Sequence, residues 1–78
     1  MFDKLNQIKE GWTNEQVVNL LGEPDEYGGT NIVMSLIYHI NDTEKAYISC
    51  FGYKVFNIYI QNAITGETTT IIEDHTFN

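Results

Sequence analysis

The chain lacks most of what would give a quick functional reading. It has no arginine, four lysines, one proline and one cysteine in 78 residues. Nucleic-acid binding needs cations to displace phosphate counterions, and arginine forks to read base edges. Four basic residues stand against 11 acidic ones, for a formal net charge of -7, so no nucleic-acid partner is expected. A lone Cys50 leaves no disulfide within the chain, which fits a reducing compartment. No apolar stretch approaches the ~20 residues that a membrane span needs. The start, Met1-Phe2-Asp3-Lys4-Leu5-Asn6, is followed by no apolar signal region and no lipid-bearing cysteine. A cytoplasmic protein without membrane contact is the expectation.

What is present is a globular composition. Hydrophobic residues are 42% of the chain and aromatics 13%, above what a disordered segment carries. The length sets one domain over residues 1–78. A chain this short buries only about 60% of the surface its unfolded form exposes, so a dimer or a partner would help it. Five Tyr, four Phe and one Trp are more rings than so small a core can hold. The acidic balance attracts basic surfaces, or else simply keeps a small protein soluble.

Phe2, Leu5 and Ile8 fall three apart, on one side of a short helix that Asp3 opens and Gly11 ends. The strongest local signal follows. Thr13 with Gln16 three residues on is a capping box, and Trp12 with Val17 has the spacing of a hydrophobic staple. Glu15 sits in the first turn, where the helix dipole favours it. Val17, Leu20 and Leu21 form the apolar stripe, Gly22 supplies a left-handed stop, and Pro24 prevents continuation. Residues 25–31 read as a loop by composition.

The period then changes from 3.6 to 2. Ile32, Met34, Leu36, Tyr38 and Ile40 alternate through a first strand, with Asn41 to Glu44 as a polar turn. Ala46, Ile48 and Cys50 alternate with Tyr47, Ser49 and Phe51 in a second. Gly52-Tyr53 permits a tight reversal into a third, where Phe56, Ile58 and Ile60 alternate with Val55, Asn57, Tyr59 and Gln61. Thr65-Gly66 turns into a β-branched run, 68–72, that suits an edge strand, and 73–78 reads as a frayed tail. The expected fold is α+β: two short N-terminal helices packed on one face of a four-stranded antiparallel meander sheet.

One sheet face is then covered and one open. Met34, Leu36, Tyr38, Ile48, Phe56, Ile58 and Ile60 are assigned to the covered face. The open face carries Ile37, His39, Tyr47, Ser49, Phe51, Asn57, Tyr59 and Gln61. A one-residue register error would exchange the two sets. Tyrosines among small polar groups are typical of protein contacts, because Tyr offers large area at low entropic cost.

The run Ile8-Lys9-Glu10-Gly11-Trp12-Thr13-Asn14-Glu15-Gln16-Val17, ending in Leu21-Gly22-Glu23-Pro24, resembles the SmpA/OmlA (BamE-like) domain. Gly11, Thr13, Val17, Leu21, Gly22 and Pro24 stand at matching positions, Trp12 replaces the usual Met, and Tyr38 is similar to a first-strand Tyr of the family. The first half of the chain carries the resemblance; the later strands match only as a meander. The resemblance implies two helices on a small antiparallel sheet, a fold similar to that of beta-lactamase-inhibitor proteins, and hence a non-enzymatic protein-binding module. Family members with an envelope-assembly role are lipoproteins with a signal peptide and a lipid-bearing Cys, and this sequence shows neither.

No catalytic constellation is expected. Cys50 with His39 or His75 would be a nucleophile and base, but Cys50 falls mid-strand with no cation nearby to lower its pKa. His39, Asp42 and Glu44 are too loosely spaced for a metal site. Glu23, Asp25 and Glu26 read as a solvated acidic loop rather than paired catalytic carboxylates. Gly28-Gly29 precedes a strand and lacks the lysine of a phosphate loop. No enzyme activity and no cofactor are therefore expected. The expected function is binding and neutralising a basic protein partner, as an immunity protein or small antagonist does. The expected contacts are Tyr47, Phe51, Tyr59, His39 and Asn57 with the Glu23, Asp25 and Glu26 loop. The alternatives are a structural subunit of a cell-envelope assembly, a homodimer through the same face, or a small enzyme or ligand-binding protein.

Overall fold

A computed structural model describes residues 2–72, with the side chain of Phe2 left out. The expectations for Phe2 in the first helical stripe, for His75 and for the tail at 73–78 fall outside the described residues.

The fold is dominated by a five-stranded antiparallel sheet in which each strand pairs with the next. The strands are β1 (Glu26–Gly29), β2 (Val33–His39), β3 (Glu44–Phe51), β4 (Lys54–Asn62) and β5 (Thr68–Ile72). Helix α1 (Phe2–Leu5) is 4 residues long and α2 (Asn14–Leu21) is 8. This corrects the expectation of four strands under two packed helices, and with it the layout implied by the resemblance. The helical segments contribute Leu5 and Val17, fully buried, to a core built mainly by the sheet, with Val18, Leu20 and Leu21 of α2 packed against it.

The added strand is β1, in the stretch expected to be a loop. Its sequence, Glu-Tyr-Gly-Gly, has poor strand propensity. Long-range pairing overrides that: Glu26 stands opposite Ile37 and Tyr27 opposite Leu36. Asp25 starts the pairing by donating its N–H to the Ile37 carbonyl at 2.9 Å, while its carboxylate accepts the His39 N–H at 2.7 Å. Gly29 has φ +93, and a Cβ there would run into the Val33 carbonyl oxygen. Only glycine fits this reversal, and Thr30 closes it by accepting the N–H groups of Ile32 and Val33.

The capping box at the start of α2 forms as read. Thr13 Oγ1 accepts the Gln16 N–H at 3.2 Å, and Gln16 Oε1 accepts the Thr13 N–H at 2.9 Å. Gly22 ends the helix with positive φ but an extended ψ of -174, so the stop is not the left-handed one expected. Its carbonyl accepts the Tyr38 hydroxyl at 2.8 Å, which ties the helix end to β2. Burial pushes the Tyr38 phenol up to about 12. At the other end, Gly11 and Trp12 exchange backbone bonds with Val55, and Thr13 bridges to Lys54. The segment before α2 thereby lies along the start of β4.

The core sits on one face of the sheet: Leu36 and Tyr38 from β2, Ala46, Ile48 and Cys50 from β3, and Val55, Ile58 and Ile60 from β4. One expected orientation is corrected here. Val55 is 1% exposed and belongs to the core, next to Phe56, which is buried as expected. The cause is a bulge: the register runs Cys50 to Val55 and then Ser49 to Asn57, leaving Phe56 as the extra residue. The Phe56 ring meets Phe51 edge-on at 6.4 Å. Beyond the bulge the alternation resumes in the expected phase.

Candidate protein-contact face

The face opposite the core is set by the strand registers. Directly paired residues in an antiparallel sheet share a face. Ile37, Tyr47, Tyr59 and Thr70 therefore form one row across β2 to β5, with Glu26 of β1 at its end. Ser35, Ser49 and Asn57 form the next row on one side, and His39, Lys45, Gln61 and Thr68 the row on the other. Val33, Phe51 and Lys54 close the face at the end nearest the β3–β4 turn.

At the centre the Tyr47 and Tyr59 rings stack, with centroids 4.9 Å apart and planes 7° from parallel. Burial against its neighbours, and then Tyr47 itself, holds the Tyr59 phenol above its usual range. One side of the Tyr59 ring meets Tyr47. Towards β5 the neighbours are short, and the step down to Thr68 and Thr70 forms a shallow groove of about 390 Å³. Asn57 and Gln61 flank it. Asn57 donates to the Ile72 carbonyl at 3.3 Å, which joins the groove wall to β5.

An ionic cluster marks one corner. His39 Nε2 lies 2.6 Å from Glu26 Oε2, and Lys45 Nζ lies 3.0 Å from the same oxygen. A carboxylate only accepts, so both nitrogens donate. The His39 bond first, and then Lys45, hold the Glu26 carboxyl below its usual range; the same carboxylate holds Lys45 above its own. The cluster is open to solvent, where such pairs add little stability.

Of the expected contacts, the structure brings together Tyr47, Phe51, Tyr59, His39, Asn57 and Glu26 on this face. It does not assemble the acidic loop. Glu26 belongs to β1, Asp25 is engaged by the His39 backbone, and Glu23 accepts the hydroxyl of Tyr27 at 3.0 Å. Tyr27 alternates with Glu26 along β1, which places the Glu23–Tyr27 pair on the other side of the sheet. Three neighbouring carboxylates thus serve four local bonds.

Charge is unevenly placed. Among the described residues Glu26 is the only acid at an open-face register position, while Lys45 and Lys54 are two of the four lysines. The other acids among the described residues therefore lie off the register positions of this face. Lys45 was missed as a contact because residues 43–45 read as turn and linker; its spacing of two from Tyr47 was the available signal. The inward placement of Val55 was missed because nothing in the sequence announces the bulge.

The remaining candidates are dispersed. Cys50 lies in the core, and burial pushes its thiol up to about 11, which leaves it protonated and unreactive near neutral pH. His39 is on the opposite face from Cys50. Among the described residues no three His, Cys, Asp or Glu side chains gather closely enough to hold a metal. No helix among them is long and apolar enough to cross a membrane. A second cavity, of about 220 Å³, opens at the end of the sheet between the β1–β2 and β3–β4 turns, beside Ile32, Met34, Cys50 and Tyr53. Comparison with protein-family models, with curated proteins and with solved structures found no match for this chain.

Proposed function

We propose that this is a non-catalytic protein-binding module that neutralises a protein partner through its open sheet face. The observation that carries the reading is the stacked Tyr47–Tyr59 pair at the centre of a face that no described element covers. Around it are serine, threonine and amide side chains with Phe51 at the rim. Aromatic anchors within a polar, hydrogen-bonding surround are the composition of protein contacts.

The charge distribution refines the partner. A basic protein is attracted at long range by the net charge of -7. The contact itself is made on a nearly neutral surface. Added salt should then slow association and leave dissociation almost unchanged. The test is affinity capture from the source lysate, with wild-type protein beside a Tyr47→Ala/Tyr59→Ala variant of equal folded content. One dominant basic protein held by the wild type and lost by the variant supports the reading. Equal recovery with both proteins contradicts it.

A further inference from the structure

The groove between β4 and β5 has a chemistry of its own. Asn57, Tyr59 and Gln61 alternate along β4, and Thr68 and Thr70 along β5. Thr70 stands opposite Tyr59 and Thr68 opposite Gln61, so these side chains share one face. None of the five is charged. Tyr47 takes one side of the Tyr59 ring, with centroids 4.9 Å apart and planes 7° from parallel. On the other side the short Thr70 lets the ring form a wall of the groove.

The polar atoms of the groove are spare. Asn57 spends one amide N–H on the Ile72 carbonyl. The Gln61 amide, the Tyr59 hydroxyl and the hydroxyls of Thr68 and Thr70 have no hydrogen-bond partner among the described residues. Each hydroxyl both donates and accepts, and each side-chain amide offers both roles. The pleat holds them in a fixed array, ~6.6–6.8 Å between alternate residues of a strand and ~4.8 Å between strands.

This lining selects a class of ligand. An anion needs a cation to pair with, and no lysine lines the groove. A metal ion needs carboxylate, imidazole or thiolate ligands, and none is here. A wholly apolar ligand would desolvate the amides and hydroxyls without replacing their bonds. An extended peptide joins a sheet through main-chain bonds at a strand edge, whereas these groups stand on the face. A neutral sugar ring meets every condition. Its hydroxyls replace the waters on the amides and threonines. Its C–H side suits the electron-rich face of an aromatic ring.

We propose that this groove is a saccharide-binding site, in which a neutral pyranose lies against the Tyr59 ring and its hydroxyls bond to Asn57, Gln61, Thr68 and Thr70. The volume of about 390 Å³ falls low in the range of about 300–1,000 Å³ for small-molecule sites, which suits a mono- or disaccharide. The stack on Tyr47 fixes the plane of the Tyr59 ring before a ligand arrives, so little side-chain freedom is lost on binding. This goes beyond the proposed protein contact: it shares Tyr59 with that contact and depends on no protein partner.

NMR titration of the full chain with maltose, cellobiose, lactose and diacetylchitobiose tests it, each taken to about 50 mM because so open a site implies a Kd of roughly 1 mM. At least one sugar should give saturable shifts centred on residues 57–61 and 68–70. Thr70→Val keeps the β-branched shape, removes one hydroxyl and should weaken binding several-fold. Tyr59→Ala should abolish it, with circular dichroism reporting the fold. Tyr27→Phe removes a hydroxyl on the other side of the sheet and should change nothing. Sorbitol, hydroxylated but without a ring, should not saturate. The absence of saturable shifts with all four sugars overturns the proposal. So do shifts centred elsewhere, binding indifferent to Thr70→Val and Tyr59→Ala, or equal binding of sorbitol or of adenosine. No sugar binding beside intact capture of a protein through the tyrosines would sink the saccharide site alone. Sugar binding beside capture that ignores Tyr47→Ala/Tyr59→Ala would sink the protein contact alone.

Discussion

The two faces of this sheet are made by the same strands from alternating residues, yet they do different work. On β3, Ala46, Ile48 and Cys50 are sealed in the core, and Tyr47, Ser49 and Phe51 between them stand on the other side. On β4, Ile58 and Ile60 are buried while Asn57, Tyr59 and Gln61 are half-exposed. The core face is aliphatic and closed by helix residues. The open face is aromatic and polar, and its largest side chains lean on each other. Stability is concentrated on the first face and the proposed recognition on the second, so substitutions one residue apart should separate the two properties.

The sharpest form of that comparison is Ile48→Ala against Tyr47→Ala. Ile48 is fully buried, and truncating it should cost about 2–5 kcal/mol through lost transfer energy and a cavity. Tyr47→Ala gives up one stacked partner and should cost about 1 kcal/mol. Urea denaturation of both variants checks the difference. Equal losses would mean that the open face is as structural as the core.

Alkaline titration separates the faces next. Cys50 and Tyr38, both on the core side, have folded values raised by burial to about 11 and about 12, from 9.0 and 10.0. A raised value means the folded state holds its proton longer than the unfolded state. Stability is therefore full below the ordinary values and falls as pH rises through the window from about 9 to about 12. Urea midpoints measured across that window should decline. Cys50→Ala should remove the lower part of the slope and Tyr38→Phe the upper part.

A smaller effect is expected where the strands turn. Gly52 and Tyr53 have φ of 58 and 66, and they connect the directly paired Phe51 and Lys54. Both values suit a two-residue type I′ turn, which glycine enters freely and tyrosine does not. Tyr53 is 69% exposed, so little packing offsets the strain. Tyr53→Gly should raise stability by about 1 kcal/mol, read as a higher Tm. A loss would show that the ring makes up for its backbone.

The smallest expected effect belongs to the corner of the open face. Glu26 is held below its usual 4.5, so its contribution is present above that value and fades as pH falls through the lower folded value. Glu26→Gln should flatten the acid limb of a stability profile only slightly, because the cluster is exposed. A large change would give that corner a structural role.

Much of the sheet was legible because alternation is a strong signal when one face is buried. Ile32 to Ile40 and Ala46 to Phe51 carry it plainly, and the capping box at Thr13 located α2. Two features hid. β1 contains two glycines and follows a proline, and it is a strand only because β2 offers it an edge and Asp25 and Thr30 fasten its ends. The bulge at Phe56 inserts one residue between Val55 and Asn57, so a strict alternation sent Val55 outward although both Val55 and Phe56 are buried. Of the candidate site, the tyrosine row could be read from spacing alone. The dispersal of Glu23, Asp25 and Glu26 could not, because it follows from β1. Electrostatics changed most between sequence and structure: in a chain of net charge -7, the described residues place only Glu26 among the acids on the open face.

Hydroxyl-radical footprinting of the protein, free and in the complex it forms in its source lysate, tests the contact face most directly. Tyrosines on both sides of the sheet and at its turns supply internal controls. The account predicts that Tyr47, Tyr59 and Phe51 become protected in the complex while the exposed Tyr27, on the other side, reacts as before. Protection centred on Tyr27 and α2, with the stacked pair unchanged, would contradict it.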